Sequence, residues 1–256
     1  NHNLRGAESD EDEAFVRSLC DRYDIPLTVG SAQVTAGKKG LEAAAREARY
    51  AFFATLPGKI ATAHTADDNA ETVLLHLVRG TGLKGLGAIA PVRKNIIRPM
   101  LSVTRQDVES FLEEYALAYR QDSSNDTDDF LRNRIRHRVM PLLKEENPKI
   151  SESLSAMALR LRQDEQALQK LSPTDDRLRI DELRQCEPAV RSRKIENFLK
   201  CSGVKEPESE HIALAEALVF SEKPSAKAHL PGNIMLCRQY DVLTVADNAA
   251  DLPETR

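Results

Sequence analysis

The sequence predicts an α/β protein: a parallel sheet with flanking helices, then a linking helix and a smaller α-rich domain. Three observations carry this. Between residues 26 and 79 extended and helical patterns alternate in the order strand, helix, strand, helix, the order of a parallel sheet with crossover helices. With 41% hydrophobic and 30% charged residues, a chain of 256 has apolar content for one large core or two smaller ones. Past Pro173 the pattern changes to helices followed by extended segments, so the expected domains are residues 1–148, a linking helix 149–172, and 173–256.

Each element has its own signal. Phe15, Val16 and Leu19 make one helical face between Glu11 and Tyr23, and Pro26 to Gly30 reads as a short strand. Gly40 to Leu56 is rich in alanine and long side chains and ends at Pro57-Gly58, a helix and its stop. Lys59 to Ala63 reads as a second strand, and His64 to Arg79 as a helix closed by Gly80 and Gly82. Ser102 or Thr104 caps a helix carrying Val108, Phe111 and Leu112, and the polar stretch Gln121 to Asp129 is a loop. From Phe130 to Leu143 a helix places Leu131, Ile135, Val139 and Leu142 on one apolar stripe expected to dock on the core. A long charged helix follows from Glu152 to Leu171. Helices at Ala189–Leu199 and Glu208–Phe220 then lead to extended segments at Ala226–Leu230 and Ile234–Val245, joined by Pro231-Gly232-Asn233, with a frayed tail from Ala246 to Arg256.

Composition narrows the function classes. No apolar run approaches the roughly 20 residues a membrane helix needs, and the first residues have no signal-peptide core, so a cytosolic location is expected. Cys20, Cys186, Cys201 and Cys237 are scattered, with neither a C-x-x-C pair nor a histidine at zinc spacing, and are read as ordinary thiols; no metal site is expected. A net charge of -4 gives no global pull on nucleic acid, so any RNA contact must come from local basic patches.

Four segments could carry chemistry. His64, Asp68 and Glu71 fall at i, i+4 and i+7 where a strand gives way to a helix, the edge at which open sheets bind ligands. Such a face could bind an ammonium, hold a cation or accept a proton; equally, Thr65 or Asp67 could simply cap the helix, with the acids favouring its dipole. Glu42 and Arg46 form an i, i+4 pair of the kind found on many exposed faces. Arg132 and Arg136 flank the apolar stripe on one side, Arg134 and Arg138 on the other, ready for phosphates or for carboxylates such as Asp122 and Asp126. Arg79 to Gly87 is basic and glycine-rich but lacks the phosphate-loop spacing G-x-x-x-x-G-K-[ST] and follows a helix, so it reads as a helix-ending turn.

Taken in order, Asn1-His2-Asn3-Leu4-Arg5-Gly6, the segment Glu42 to Tyr50, His64 to Thr72 with Arg79-Gly80, Arg98-Pro99-Met100-Leu101, Asp122-Ser123-Ser124-Asn125, and Arg132-Asn133-Arg134-Ile135-Arg136 through Pro141-Leu142 resemble the bacterial tRNA(Ile)-lysidine synthetases. The resemblance is dense up to Pro148 and looser beyond, where the pattern is similar to that family's first tRNA-binding C-terminal domain. It implies the Rossmann-like fold of the N-type ATP pyrophosphatases, the PP-loop superfamily. The family carries a Ser-Gly-Gly-x-Asp-Ser loop a few tens of residues before a segment like Asn1–Gly6, and no such motif occurs in this sequence. The natural protein is therefore expected to start upstream, and this chain alone to lack its triphosphate site and to be inactive.

The implied reaction has two steps: cytidine O2 attacks the α-phosphate of ATP, releasing pyrophosphate, and the lysine ε-amine then displaces AMP at C2, changing codon recognition from AUG to AUA. ATP with Mg2+, lysine and tRNA(Ile) with a CAU anticodon are the implied substrates, in the cytoplasm; the resemblance leaves room for a homodimer. Asp68 and Glu71 are expected to bind lysine and activate its amine, with Arg46 nearby orienting substrate or nucleotide and His64 and Asp67 as second choices. His2, Arg5, Arg49, Arg79, Gly80, Arg132, Arg134, Arg136 and Arg138 are expected at nucleotide or tRNA. Two other readings stay open: a metal-dependent hydrolase built on His64, Asp68 and Glu71, and a non-catalytic tRNA-binding fragment.

Overall fold

The structure is a computed structural model that describes residues 1–4, 6–35, 40–120, 128, 130–173, 175, 177–230 and 234–247. Arg5, the Glu42 side chain with its expected Arg46 pair, Asp122 and Asp126 of the expected loop, the Pro231-Gly232-Asn233 turn and the tail from residue 248 lie outside them. The chain divides into two compact units, Asn1–Ala158 and Leu159–Arg256, the division falling inside one long helix.

The first unit opens with α1 (Ala7–Arg22) and α2 (Leu41–Thr55). The expected strand at Pro26–Gly30 is extended chain without a ladder. Gly30 C=O accepts from the Asn1 nitrogen at 2.8 Å and Ala32 N–H donates to Asn1 C=O at 2.9 Å, while Ile25, Leu27 and Val29 stay exposed. The second expected strand shrinks to β1 (Ile60–Ala61), which leads into α3 (Ala66–Val78). Thr65 caps α3: its hydroxyl accepts from Asp68 N–H, and the Asp68 carboxylate returns a bond to Thr65 N–H at 2.9 Å. After a one-turn helix, α4 (Leu83–Leu86), come β2 (Val92–Arg93) and β3 (Ile96–Ile97), a hairpin the sequence reading missed. Its Lys94-Asn95 turn puts Lys94 at φ 55°, a conformation usually signalled by glycine. The sheet order is β1-β3-β2, with β1 parallel to β3 and β2 antiparallel to it.

Thr104, not Ser102, caps α5 (Arg105–Glu114) through a reciprocal pair with Asp107. The expected helix after Phe130 is broken: α6 (Leu131–Arg134), a π turn (Ile135–Val139), then α7 (Met140–Glu146). Pro141 explains the break, because it has no N–H for the carbonyl four residues back and its ring crowds that carbonyl; the turn widens to relieve it. The extra residue corrects the expected stripe. Leu131 and Ile135 reach the core as read, but the next core residue is Met140, five positions on; Val139 is 40% and Leu142 62% exposed. A 21-residue helix, α8 (Ile150–Lys170), follows.

The second unit contains β4 (Leu178–Arg179), α9 (Ile180–Gln185), α10 (Pro188–Cys201), α11 (Ser209–Phe220), β5 (Ser225–Leu230), β6 (Ile234–Gln239) and β7 (Val242–Asp247). The segment read as one extended run from Ile234 to Val245 folds back at Tyr240-Asp241, with Tyr240 at φ 53°, and Ala246 and Asp247 belong to β7 rather than to a tail. The four strands form one antiparallel sheet, ordered β4-β7-β6-β5. Phe198, Leu183, Ile195, Leu236 and Leu243 lie at the centre of its core. Buried Arg238 donates to the Leu218 and Ser221 carbonyls at the end of α11 and Arg184 to those of Val219 and Ser221, satisfying carbonyls that a helix terminus leaves open.

Candidate active site

In the first unit a cavity of about 600 Å3 opens between α2, β1, the start of α3, and the α6–π turn. Arg46, Arg49, Tyr50 and Phe53 reach it together because i, i+3, i+4 and i+7 share one face of α2. Thr62 and His64 follow β1, Asp68 stands in the first turn of α3, and Phe130, Arg132, Asn133 and Arg136 close the far wall.

The wall is held by charge. Glu71, 2% exposed and just behind the lining, accepts from Arg132 Nε on Oε2 at 2.9 Å, from Arg136 Nη2 on the same oxygen at 2.9 Å, and from Arg136 Nε on Oε1 at 2.6 Å. Asp68 Oδ1 accepts from Arg132 Nη2 at 2.9 Å and from Arg136 Nη2 at 3.5 Å, and its Oδ2 takes Thr65 N–H and Oγ1. Burial opposes the Arg136 charge, and the bonds to Glu71 outweigh it, so its pKa rises. The i, i+4 spacing of Arg132 and Arg136 across the start of the π turn aims both guanidinium groups at one carboxylate pair.

The other expected site residues separate. Asp67 faces away from the cavity: its oxygens accept from Arg105 N–H at 2.8 Å, Lys144 Nζ at 3.0 Å and Ser151 Oγ at 2.8 Å. Burial alone would raise its pKa, but those bonds outweigh it and the carboxyl lies below its ordinary range. Its second-choice place at substrate lysine is corrected to tying α3 to α5, α7 and α8. Asn69 does similar work, donating to Ser155 Oγ and accepting from Ile89 N–H.

Arg134 and Arg138 meet Asp128: Arg138 donates to its carboxylate at 2.6 and 2.9 Å, Arg134 to its carbonyl at 3.0 Å. Arg79 and Gly80 sit at the C-terminal end of the 13-residue α3, about 20 Å from its first turn at 1.5 Å per residue, and do not line the cavity. His2 stands beside Arg49; burial, then that neighbouring charge, lowers its pKa. Burial also does most to lower the pKa of His64, with Arg98, Arg132 and Arg46 adding and Asp68 opposing, so its imidazole is neutral at pH 7; its Nδ1 meets Thr62 Oγ1 at 3.0 Å.

Sequence reasoning missed Tyr50, Phe53, Thr62, Phe130 and Asn133. Tyr50 and Phe53 were legible as the i+4 and i+7 partners of Arg46; Phe130 and Asn133 depended on the path of the π turn. Among the described residues no carboxylate pairs with Arg46 or Arg49, and Asp68 is the one carboxylate that lines the cavity.

A cavity at the carboxyl edge of β1, opening beside the first turn of α3, is the arrangement of a nucleotide-handling α/β domain. The model of the PP-loop domain matches residues 1–143, more than half of the chain. The chain belongs to the PP-loop domain family. Its PP-loop domain and the region beyond are 38% identical over 280 residues to the tRNA(Ile)-lysidine synthase of Geobacter sulfurreducens, covering 99% of this chain and 59% of that protein. Proteins of the same name from Porphyromonas gingivalis (47% over 167 residues, 60% of this chain and 36% of theirs) and Bacillus subtilis (40% over 184 residues, 67% and 39%) are also similar. The chain thus spans between about a third and three fifths of the length of these relatives. Among the described residues no helix is long and apolar enough to cross a membrane.

Proposed function

We propose that this PP-loop chain belongs to a cytoplasmic tRNA(Ile)-lysidine synthase, which uses ATP to join lysine to C2 of the wobble cytidine in the CAU anticodon of tRNA(Ile), whether as a monomer or a homodimer. What supports it above all is the basic cavity with, among the described residues, a single carboxylate edge, in a chain 38% identical over nearly its whole length to a protein of that name. Residues 1–148 are the catalytic part, 149–172 the linking helix and 173–256 a tRNA-contacting domain.

The residues divide the work. Arg46 and Arg49 face the cavity, paired with no carboxylate among the described residues, and suit the phosphate of a nucleotide or of the adenylated cytidine. The lysine amine, with a reference pKa near 10.4, costs roughly 4 to 5 kcal/mol to deprotonate at pH 7, so a carboxylate must bind the ammonium and draw off its proton. Asp68 is the carboxylate that lines the cavity, and the substrate ammonium would exchange with Arg132 on its Oδ1. Glu71, with both oxygens on guanidinium nitrogens, positions Arg132 and Arg136 rather than meeting substrate. Neutral His64 is a hydrogen-bonding wall of the same pocket. Mg2+ would arrive with the ATP phosphates; among the described residues no group of three His, Cys, Asp or Glu side chains is placed to hold it. The hydrolase reading loses its ligand set, because Asp68 and Glu71 face guanidinium groups and His64 faces Thr62.

The test is incorporation of radiolabelled lysine into tRNA(Ile) by the full-length protein with ATP. Label in the tRNA matched by AMP and pyrophosphate release is expected; release without incorporation, or label in a tRNA lacking the CAU anticodon, would refute the reading. Within it, Asp68→Asn should raise the lysine KM or lower kcat while leaving pyrophosphate release in the absence of lysine in place.

A further inference from the structure

Arg98 is an unusual cation for this fold. It is 5% exposed, and no carboxylate among the described residues pairs with it. Nη1 donates to Ala90 C=O at 2.6 Å and Nη2 to the Tyr50 hydroxyl at 3.2 Å, while the buried Nε has no acceptor. A buried guanidinium needs a counter-charge, and one carbonyl with one phenol oxygen does not supply it.

Tyr50 is the only bonded route from that charge to the cavity among these contacts. Its oxygen also accepts from Arg46 Nη2 at 3.2 Å, and the Arg46 guanidinium lies over its ring at 4.9 Å. A phenol oxygen has two acceptor positions and one proton. Two guanidinium donors fill the first, so the hydroxyl can act only as a donor, on a side chain that lines the cavity.

We propose that the Tyr50 hydroxyl donates to an anionic oxygen of the bound substrate, and that buried Arg98 is the positioning residue that fixes it as a donor. The partner is anionic because Arg46 and buried Arg98 both donate to the same phenol oxygen, Arg49 lines the same cavity, and no carboxylate among the described residues pairs with any of the three. Two substrates of the proposed reaction offer such an oxygen: the α-phosphate of ATP and the α-carboxylate of lysine. The inference rests on that proposed reaction for its substrates, not for its geometry.

The experiment is Tyr50→Phe in the full-length protein, which removes one oxygen and keeps the ring. ATP and lysine are varied in turn in the ligation assay, their binding is followed by calorimetry, and the melting temperature is recorded. Loss of a hydrogen bond to a charged oxygen should weaken one substrate on the order of 10- to 100-fold. A shift in the ATP constants identifies phosphate, a shift in the lysine constants carboxylate, and either supports the proposal. Arg98→Lys, where it folds, should shift the same constant and add little on the Tyr50→Phe background. A Tyr50→Phe protein with a lower melting temperature and unchanged constants for both substrates would show that the hydroxyl merely solvates Arg98, and an unchanged protein in every readout would also overturn the proposal. If wild-type protein binds ATP or lysine but ligates nothing, the proposed reaction fails while the binding comparison still decides the role of Tyr50. If wild-type binds neither, both fall.

Discussion

The two units are held together by different physics. Among the described residues the second unit buries fourteen apolar side chains in one cluster, whereas the main cluster of the first buries three, Ala70, Ile135 and Met140; Ala66, Val73, Ile96 and Leu101 are buried outside it, and the unit also buries the polar residues Thr65, Asp67, Asn69, Glu71, Arg98 and Asn133. Apolar burial is non-directional and tolerates repacking; a buried ion cluster is stable only with every partner present. The first unit therefore positions its arginines to within hydrogen-bond tolerance and is vulnerable to losing any one partner.

Glu71→Gln is the sharpest way to break that contrast. It leaves two guanidinium groups, 27% and 16% exposed, with the Asp68 carboxylate still on them and an amide in place of Glu71, and should cost about 3 to 5 kcal/mol in denaturant unfolding. A loss below about 1 kcal/mol would mean that Asp68 and solvent, not Glu71, balance the pair. Leu236→Ala at the centre of the second core should cost about 2 to 5 kcal/mol, with the same loss at pH 5 and pH 8 because no titrating group is involved. A pH-dependent loss there would contradict a purely apolar core.

Asp67→Asn should cost about 1 to 3 kcal/mol at neutral pH and, more tellingly, change the acid limb. The folded pKa of Asp67 lies below its ordinary value of 3.8, so its contribution is complete above that value and is lost as pH falls through the folded one. Acid titrations followed by circular dichroism should show the wild-type advantage over Asp67→Asn vanishing in that range; parallel curves would remove Asp67 from the account. Arg138→Ala is the smallest effect. Its guanidinium is 68% exposed on Asp128, and the cost should be about 0 to 1 kcal/mol and shrink further with salt.

Much of this contrast was legible before the fold. Helices α1, α2, α3, α5, α8, α10 and α11 follow from periodicity and stop signals, spacing alone put Asp68 with Glu71 and Arg132 with Arg136, and only the family resemblance set Arg46 beside the acidic pair. Three things were not. The hairpin turns at Lys94-Asn95 and Tyr240-Asp241 carry no glycine, so tertiary pairing overrode turn chemistry. The segment Pro26–Gly30 had the residues for a ladder, but Gly30 bonds Asn1 instead, as does Ala32 beyond it. Which carboxylate stays accessible was hidden as well, because i, i+4 and i+7 put His64, Asp68 and Glu71 on one face without saying that Arg132 and Arg136 would cover Glu71.

The π turn before Pro141 sets how this chain tolerates length changes. A helix that gains or loses one residue rotates everything downstream by about 100°. Here the additional residue is already inside the turn, and it is what lets Ile135 and Met140 face one core while Arg132 and Arg136 face one carboxylate pair. Deleting one residue between Ile135 and Val139 would leave Pro141 against the carbonyl four residues back and swing Met140 out of the core together with Lys144, the partner of Asp67. The register of that turn, more than the chemistry of any single arginine, is what the unit has least freedom to change.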